Sequence, residues 1–171
     1  KIDQGENGTV NLTATKGDIT ADGGIDATNV NAANGTVNPG DGDLTADASL
    51  SAKTVEATGH DVTVGTKDGT ATATVGDVKA DNLTLTNATS TVTGDVTLAE
   101  GLTVEGGSLT ATTQGTYVSV GAKSTVNEGA TVDLVEIDLN EQNLFVGDEN
   151  DSTGGTTMTA DTISFGAGGG L

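Results

Sequence analysis

Apolar and polar residues alternate in short bursts from Gly94 to Leu134. There Val96/Leu98, Leu102/Val104, Leu109/Ala111, Val118/Val120 and Val132/Leu134 form pairs set off by Gly, Asn, Asp or Glu, with Val126 alone between the last two. A period of two puts both members of a pair on one face of a strand, and glycine admits the positive φ that tight corners need. The stretch therefore predicts strand, corner, strand. Residues 1–37 show the same rhythm in GTVNLTA, GDITA, IDATNVNA and NGTV. Residues 44–93 resume it, with Val62/Val64, Val75/Val78, Leu83/Leu85 and Val92 as inward positions. An i, i+3, i+4, i+7 apolar stripe is rarely sustained, and Thr, Val, Gly and Asn are mediocre or poor helix formers, so strands are expected almost throughout.

The rhythm breaks at three places. NPGDGD (38–43) holds the only proline and is the strongest turn signal, read as a subdomain boundary or as a loop projecting from a regular stack. In VDLVEIDLNEQNLFVGDEN (132–150), Val132 and Leu134 share one parity while Val135, Ile137 and Leu139 share the other. A β-bulge near Leu134–Val135, or one helical turn, would reconcile them. A polar loop at 147–155 precedes a last strand from Met158 to Phe165, and residues 166–171 read as a flexible glycine-rich tail leading to another module. Residues 1–165 are expected to form one β-rich unit.

Spacing bears on architecture. Val62 and Leu83 are 21 residues apart and Val96 and Val118 are 22 apart, as expected if three strands make one turn of a coil. About eight coils at ~4.8 Å each would make a rod of ~40 Å. A β-sandwich or jelly roll also shows strand signals every ~8–12 residues. Composition favours the all-β solenoid: aromatics are 2% of the chain, limited to Tyr117, Phe145 and Phe165, too few for the thick centre of a sandwich. Threonine is more frequent than the 26 glycines, and its branched side chain suits a pleated surface, which argues against disorder despite the low hydrophobicity.

The formal charge of −19 comes from 25 acidic residues against six lysines and no arginine. That field repels phosphate backbones and anionic lipid, so neither nucleic acid nor a membrane surface is an expected partner. Cysteine is absent, which excludes disulfides, thiolate metal sites and a cysteine nucleophile. No apolar run approaches the ~18 residues of a membrane helix, and Lys1-Ile2-Asp3 reads as a processed end or an internal cut.

GDVTLAEGLTVEGGSLTA and TMTADTISFGAGGGL resemble the Thr/Gly/Asn/Val-rich passenger regions of bacterial autotransporters and of filamentous-haemagglutinin-like surface adhesins. The resemblance covers nearly the whole chain and rests on composition and rhythm, with no diagnostic motif. It implies a right-handed β-helix, secretion and a surface or adhesive role, and it carries over no functional residue.

Candidate chemistry is sparse. His60 and Asp61 lack a GxSxG elbow or any other context for a nucleophile, and His60 reads as a surface corner residue. Carboxylates are plentiful, but the aromatic platform and arginines of a sugar-cleaving site are missing, so no enzyme activity is expected. Calcium is the most plausible small ligand. Asp41, Asp43 and Asp47 around the Pro39 turn, and Asp148, Asn150 and Asp151 beside Glu149, offer hard oxygen ligands, although neither cluster fits an EF-hand or a GGxGxD repeat. Thr-x-Thr triplets at Thr13–Thr15, Thr72–Thr74, Thr84–Thr86, Thr91–Thr93 and Thr110–Thr112 would suit an ice-binding face if they recurred at the coil spacing. Their unequal gaps point instead to ordinary β propensity.

The sequence thus predicts a non-enzymatic structural or adhesive segment of a secreted, cell-surface bacterial protein. Its expected partners are further copies of itself, surface proteins or receptors. The alternative is an extracellular filament subunit in which Thr9–Ala14 or Met158–Phe165 completes a neighbour's sheet. A calcium- or ice-binding β module is the third reading.

Overall fold

The computed structural model describes residues 1–5, 8–147 and 155–166. Its strands are β1 (Asn11–Thr13), β2 (Ile19–Thr20), β3 (Ile25–Asn38), β4 (Leu44–Ala57), β5 (Val62–Val64), β6 (Ala71–Ala80) and β7 (Leu83–Val92). They continue as β8 (Val96–Leu98), β9 (Leu102–Ala111), β10 (Val118–Val120), β11 (Ser124–Asn127), β12 (Thr131–Asp138), β13 (Leu144–Val146) and β14 (Thr157–Ser164). All pair in parallel within one 14-stranded sheet, and the described residues include no helix. The sheet is wound into a β-solenoid of about seven turns. At ~4.8 Å per turn this is a rod of roughly 34 Å.

Three inward ladders define its three faces. On the first, Ile25 stacks on Leu44, then Val62, Leu83 and Leu102. On the second, Leu12 is followed by Val30, Leu50, Ala73, Ser90, Leu109, Val132 and Met158. On the third, Ile19 is followed by Val37, Val55, Val78, Val96, Val118, Ile137 and Ile163. Each face contributes up to three small or branched side chains per turn to a narrow centre, as Ala71, Ala73 and Val75 do on the second, and no aromatic ring is among the fully buried residues described. Ile25, Leu44, Leu85, Leu102, Leu109 and Ile137 are almost wholly buried there. The expected pairings of Val62 with Leu83 and of Val96 with Val118 are both present.

Several strands are longer than the short alternating pairs suggest, up to 14 residues in β3 and β4, because the backbone keeps its hydrogen bonds while bending from face to face. Asn87, Gly106 and Glu128 occupy the same corner in successive coils, with φ of 48°, 68° and 53°. Left-handed residues turn the chain there, Asn87 alone in its coil and Gly106 with Gly107 or Glu128 with Gly129 in the next two, a conformation that glycine adopts freely and asparagine tolerates. The parity break at Leu134–Val135 is likewise a corner: Val132, Leu134, Ile137 and Leu139 are all buried, Val135 is half-buried, and neither a bulge nor a helical turn is present. Nor does Pro39 project. It is buried, and its carbonyl accepts the Gly24 N–H at 2.7 Å. The β3–β4 ladder runs on both sides of this segment, so it closes a coil within the stack. The last strand is Thr157–Ser164, close to its expected place. Gly166 is the only described residue of the expected tail.

Candidate functional site

Between corners inward residues alternate with outward ones, so the ladders also set the surface. On the second face one column runs Asn11, Asn29, Ser49, Thr72, Thr89, Ser108, Thr131, Thr157. A second runs Thr13, Asn31, Ser51, Thr74, Thr91, Thr110, Asp133, Thr159. Neighbours stand ~4.8 Å apart along the rod and about 6.6 Å apart along a strand. The first face carries a single column, Thr45, Thr63, Thr84, Thr103, Thr125, flanked by Asp26 and Phe145.

Unequal gaps in sequence therefore do not scatter the hydroxyls. A coil takes 18 residues from Asp18 to Thr36 and 26 from Thr131 to Thr157, and the corners absorb the difference. Only Thr72–Thr74 of the expected triplets lies whole on the second face. Thr13, Thr91 and Thr110 contribute one member each, Thr84 belongs to the first face, and Thr86 is buried. Serine and asparagine complete the columns. Asn29 Nδ2 donates to Asn11 Oδ1 at 2.6 Å, and Ser49 Oγ donates to Asn29 Oδ1 at 2.6 Å, so the first rungs are tied from coil to coil.

Two corners are fixed by carboxylate and amide oxygens. Asp77 Oδ1 accepts the Asp95 N–H at 3.0 Å and Asp95 Oδ1 accepts the Tyr117 N–H at 3.2 Å, each residue serving the equivalent position one coil on. Asp18 does the same for Thr36 at 2.7 Å. At another corner Asp43 Oδ1 accepts from Asp61 N–H at 3.1 Å, Asp61 Oδ1 from Asn82 Nδ2 at 2.9 Å, and Asn82 Oδ1 from Gly101 N–H at 3.0 Å. Asp18, Asp43, Asp77 and Asp95 are thus corner caps, meeting backbone donors that the bend leaves unpaired.

Of the expected calcium ligands, the carboxylates of Asp43 and Asp47 have other partners. Asp43 is engaged with Asp61 N–H, Asp47 accepts a hydrogen bond from Gln4 Nε2, and the exposed Asp41 donates its N–H to Asp22 O at 3.4 Å. Asp148, Asn150 and Asp151 lie outside the described residues. Among the described residues no group of three or more His, Cys, Asp or Glu side chains is arranged to hold a metal ion. His60 sits at a corner as expected, donating its N–H to Ala57 O and lying 3.8 Å from Asp43 Oδ1, while Asp61 is occupied by Asn82. Lys1 Nζ meets Asp3 Oδ2 at 2.9 Å. That hydrogen bond holds the Asp3 carboxyl below its ordinary range and the Lys1 amine above its own.

The third face is charged. Its outward positions include Glu56, Lys79, Thr97, Ser119 and Asp138, with Lys79 Nζ 3.2 Å from Glu56 Oε1. Tyr117, 40% exposed, borders a groove of about 240 Å³ with Asp77, Asp95 and Thr97.

Two buried serines were not singled out in the sequence, although both lie two residues before an inward valine. Ser124 Oγ accepts the Leu102 N–H at 3.1 Å and is satisfied. Ser90 Oγ has no hydrogen-bond partner and borders an internal cavity of about 10 Å³ lined by Leu50, Val62, Leu83 and Leu85. Comparison with protein-family models, with curated proteins and with solved structures finds no match to this chain.

Proposed function

We propose that this chain is a structural or adhesive, non-enzymatic segment of a secreted bacterial surface protein. The observation that carries the reading is the set of three parallel ladders, a rod whose surface is a repeating array rather than a single convergent cleft. Such a rod holds recognition surfaces at a fixed distance from an anchor, with no one residue carrying the function. Filament formation by strand donation has less support, since β1 and β14 are already paired with β3 and β12 of the same chain. Donating either would first break that ladder.

Antibody labelling of the source cells tests the reading. Labelling of intact cells, removed by mild external protease, is the expected result. Labelling only after permeabilisation would sink it.

A further inference from the structure

We propose that the second face binds the surface of ice, using its two outward columns as a lattice of hydroxyl and methyl groups. The inference is independent of the surface-adhesin reading and rests on the ladder registers. From Ser49/Ser51 through Thr72/Thr74, Thr89/Thr91 and Ser108/Thr110, four successive coils present a hydroxyl at both outward positions, and Thr157/Thr159 does so again at the last. The two repeats, ~4.8 Å along the rod and ~6.6 Å along the strand, are set by the backbone. They are close to the two repeats of oxygen atoms on a prism face of hexagonal ice.

Charge narrows the occupant. The chain holds 25 acidic residues and six lysines, yet Asp133 is the only charged side chain in the two columns. A charged group orients water radially around itself and resists incorporation into a crystal lattice. Threonine offers one hydroxyl to the lattice and one methyl that is better left unhydrated. The uncharged run from Ser49/Ser51 to Ser108/Thr110 therefore matches an uncharged, periodic partner, whereas the third face, with Glu56, Lys79 and Asp138, does not.

Order is the remaining requirement, because each contact is weak and only their sum over an array can hold a crystal surface. The columns lie on a ladder whose underside is packed: Ala73, Ser90, Leu109 and Val132 are all almost wholly buried. The register of β6 with β7 and of β7 with β9 is continuous across the paired positions Thr72–Val75 and Thr89–Thr91. Hydrogen-bonded side-chain rungs, as between Asn11, Asn29 and Ser49, are a device by which sheets hold an ordered surface.

The test is the freezing behaviour of the full chain, read as thermal hysteresis and as the shape of single ice crystals grown in its presence. Expected are a gap between melting and growth temperatures that rises with protein concentration, and faceted crystals. Thr74→Lys and Thr91→Lys, which place a charge mid-face without touching the core, should return both readouts to buffer level. Thr97→Lys on the third face should leave them unchanged. Circular dichroism checks that all three variants keep the fold. Unshaped crystals and no hysteresis with the native chain would overturn the proposal, as would full activity in Thr91→Lys. Co-sedimentation with microcrystalline cellulose in the absence of ice activity would also overturn it and assign the face to an ordered polysaccharide.

Discussion

Ser90 and Ser124 occupy equivalent kinds of position, inward on a ladder and almost wholly buried, but their hydroxyls differ in what they meet. A buried polar group without a partner costs about 1–3 kcal/mol relative to one that is satisfied. Ser90→Ala removes that cost and enlarges the adjoining void by on the order of 10 Å³, a penalty of only ~0.3 kcal/mol at the measured cavity coefficient. The expected net effect is a gain of about 1–2 kcal/mol. At 2–4 °C per kcal/mol for a chain of this size, the melting temperature should rise by roughly 2–8 °C. Ser124→Ala should move the other way by a similar amount, since it strands the Leu102 N–H that Ser124 Oγ accepts. Thermal melts followed by far-UV circular dichroism, on both variants and the parent, give the two signs in one experiment. A fall in melting temperature for Ser90→Ala comparable to that for Ser124→Ala would refute the reasoning, because it would mean that the Ser90 hydroxyl is satisfied. Ser90→Val, which adds carbon to the same cavity, separates loss of the hydroxyl from filling of the void.

The corners and the charge give further expectations. Gly65 has φ of +90°, and a Cβ there would stand 2.0 Å from Thr86 O, so Gly65→Ala should cost at least ~1–3 kcal/mol; an unchanged melt would show that the corner relaxes freely. Asp77→Ala removes the acceptor for Asp95 N–H and should cost about 1 kcal/mol, by analogy with a lost helix cap, whereas Asp77→Asn keeps the oxygen and sheds a charge. The asparagine variant should melt at or above the parent, and equal losses in both would contradict the capping role. Sodium chloride should raise the melting temperature, since at ~0.1 M the Debye length is about 10 Å and repulsion among exposed carboxylates of a chain at −19 is damped. A flat or falling salt response would show that the carboxylates are not a net burden on the fold.

Inward positions were legible at most places where two branched residues flanked one polar residue. Val62/Val64, Leu83/Leu85, Val96/Leu98 and Val118/Val120 are all buried as their alternation predicts. Alternation says nothing of corners, because a bend and a bulge both shift parity by one, and Val135 therefore looked like a fault in a strand. The Pro39 segment misled for a related reason: turn chemistry marks a reversal of direction without saying whether the turn points into the core. The hydroxyl columns were the least legible feature. Their regularity exists in the stack and not along the chain, since Thr74, Thr91 and Thr110 become neighbours only after corners of different length have been folded away. Ser90 could have been placed by parity from Val92, but nothing in the sequence marks its hydroxyl as unpartnered.

The direction of the ladder hydrogen bonds has a mechanical consequence. In a wound parallel sheet they run along the rod, so tension applied end to end loads the coils in series, and the terminal coil carries the full force on a few rungs. Such a molecule should yield by unspooling one coil at a time, not by rupturing as a block. Released coils of 17 to 26 residues would each add roughly 60–90 Å of contour length, more than the folded rod itself measures. A force–extension trace with one large step spanning the whole chain would contradict this. A trace of small, uneven steps, in the order of the corner lengths, would show a rod that can absorb a pull and keep most of its ladder intact.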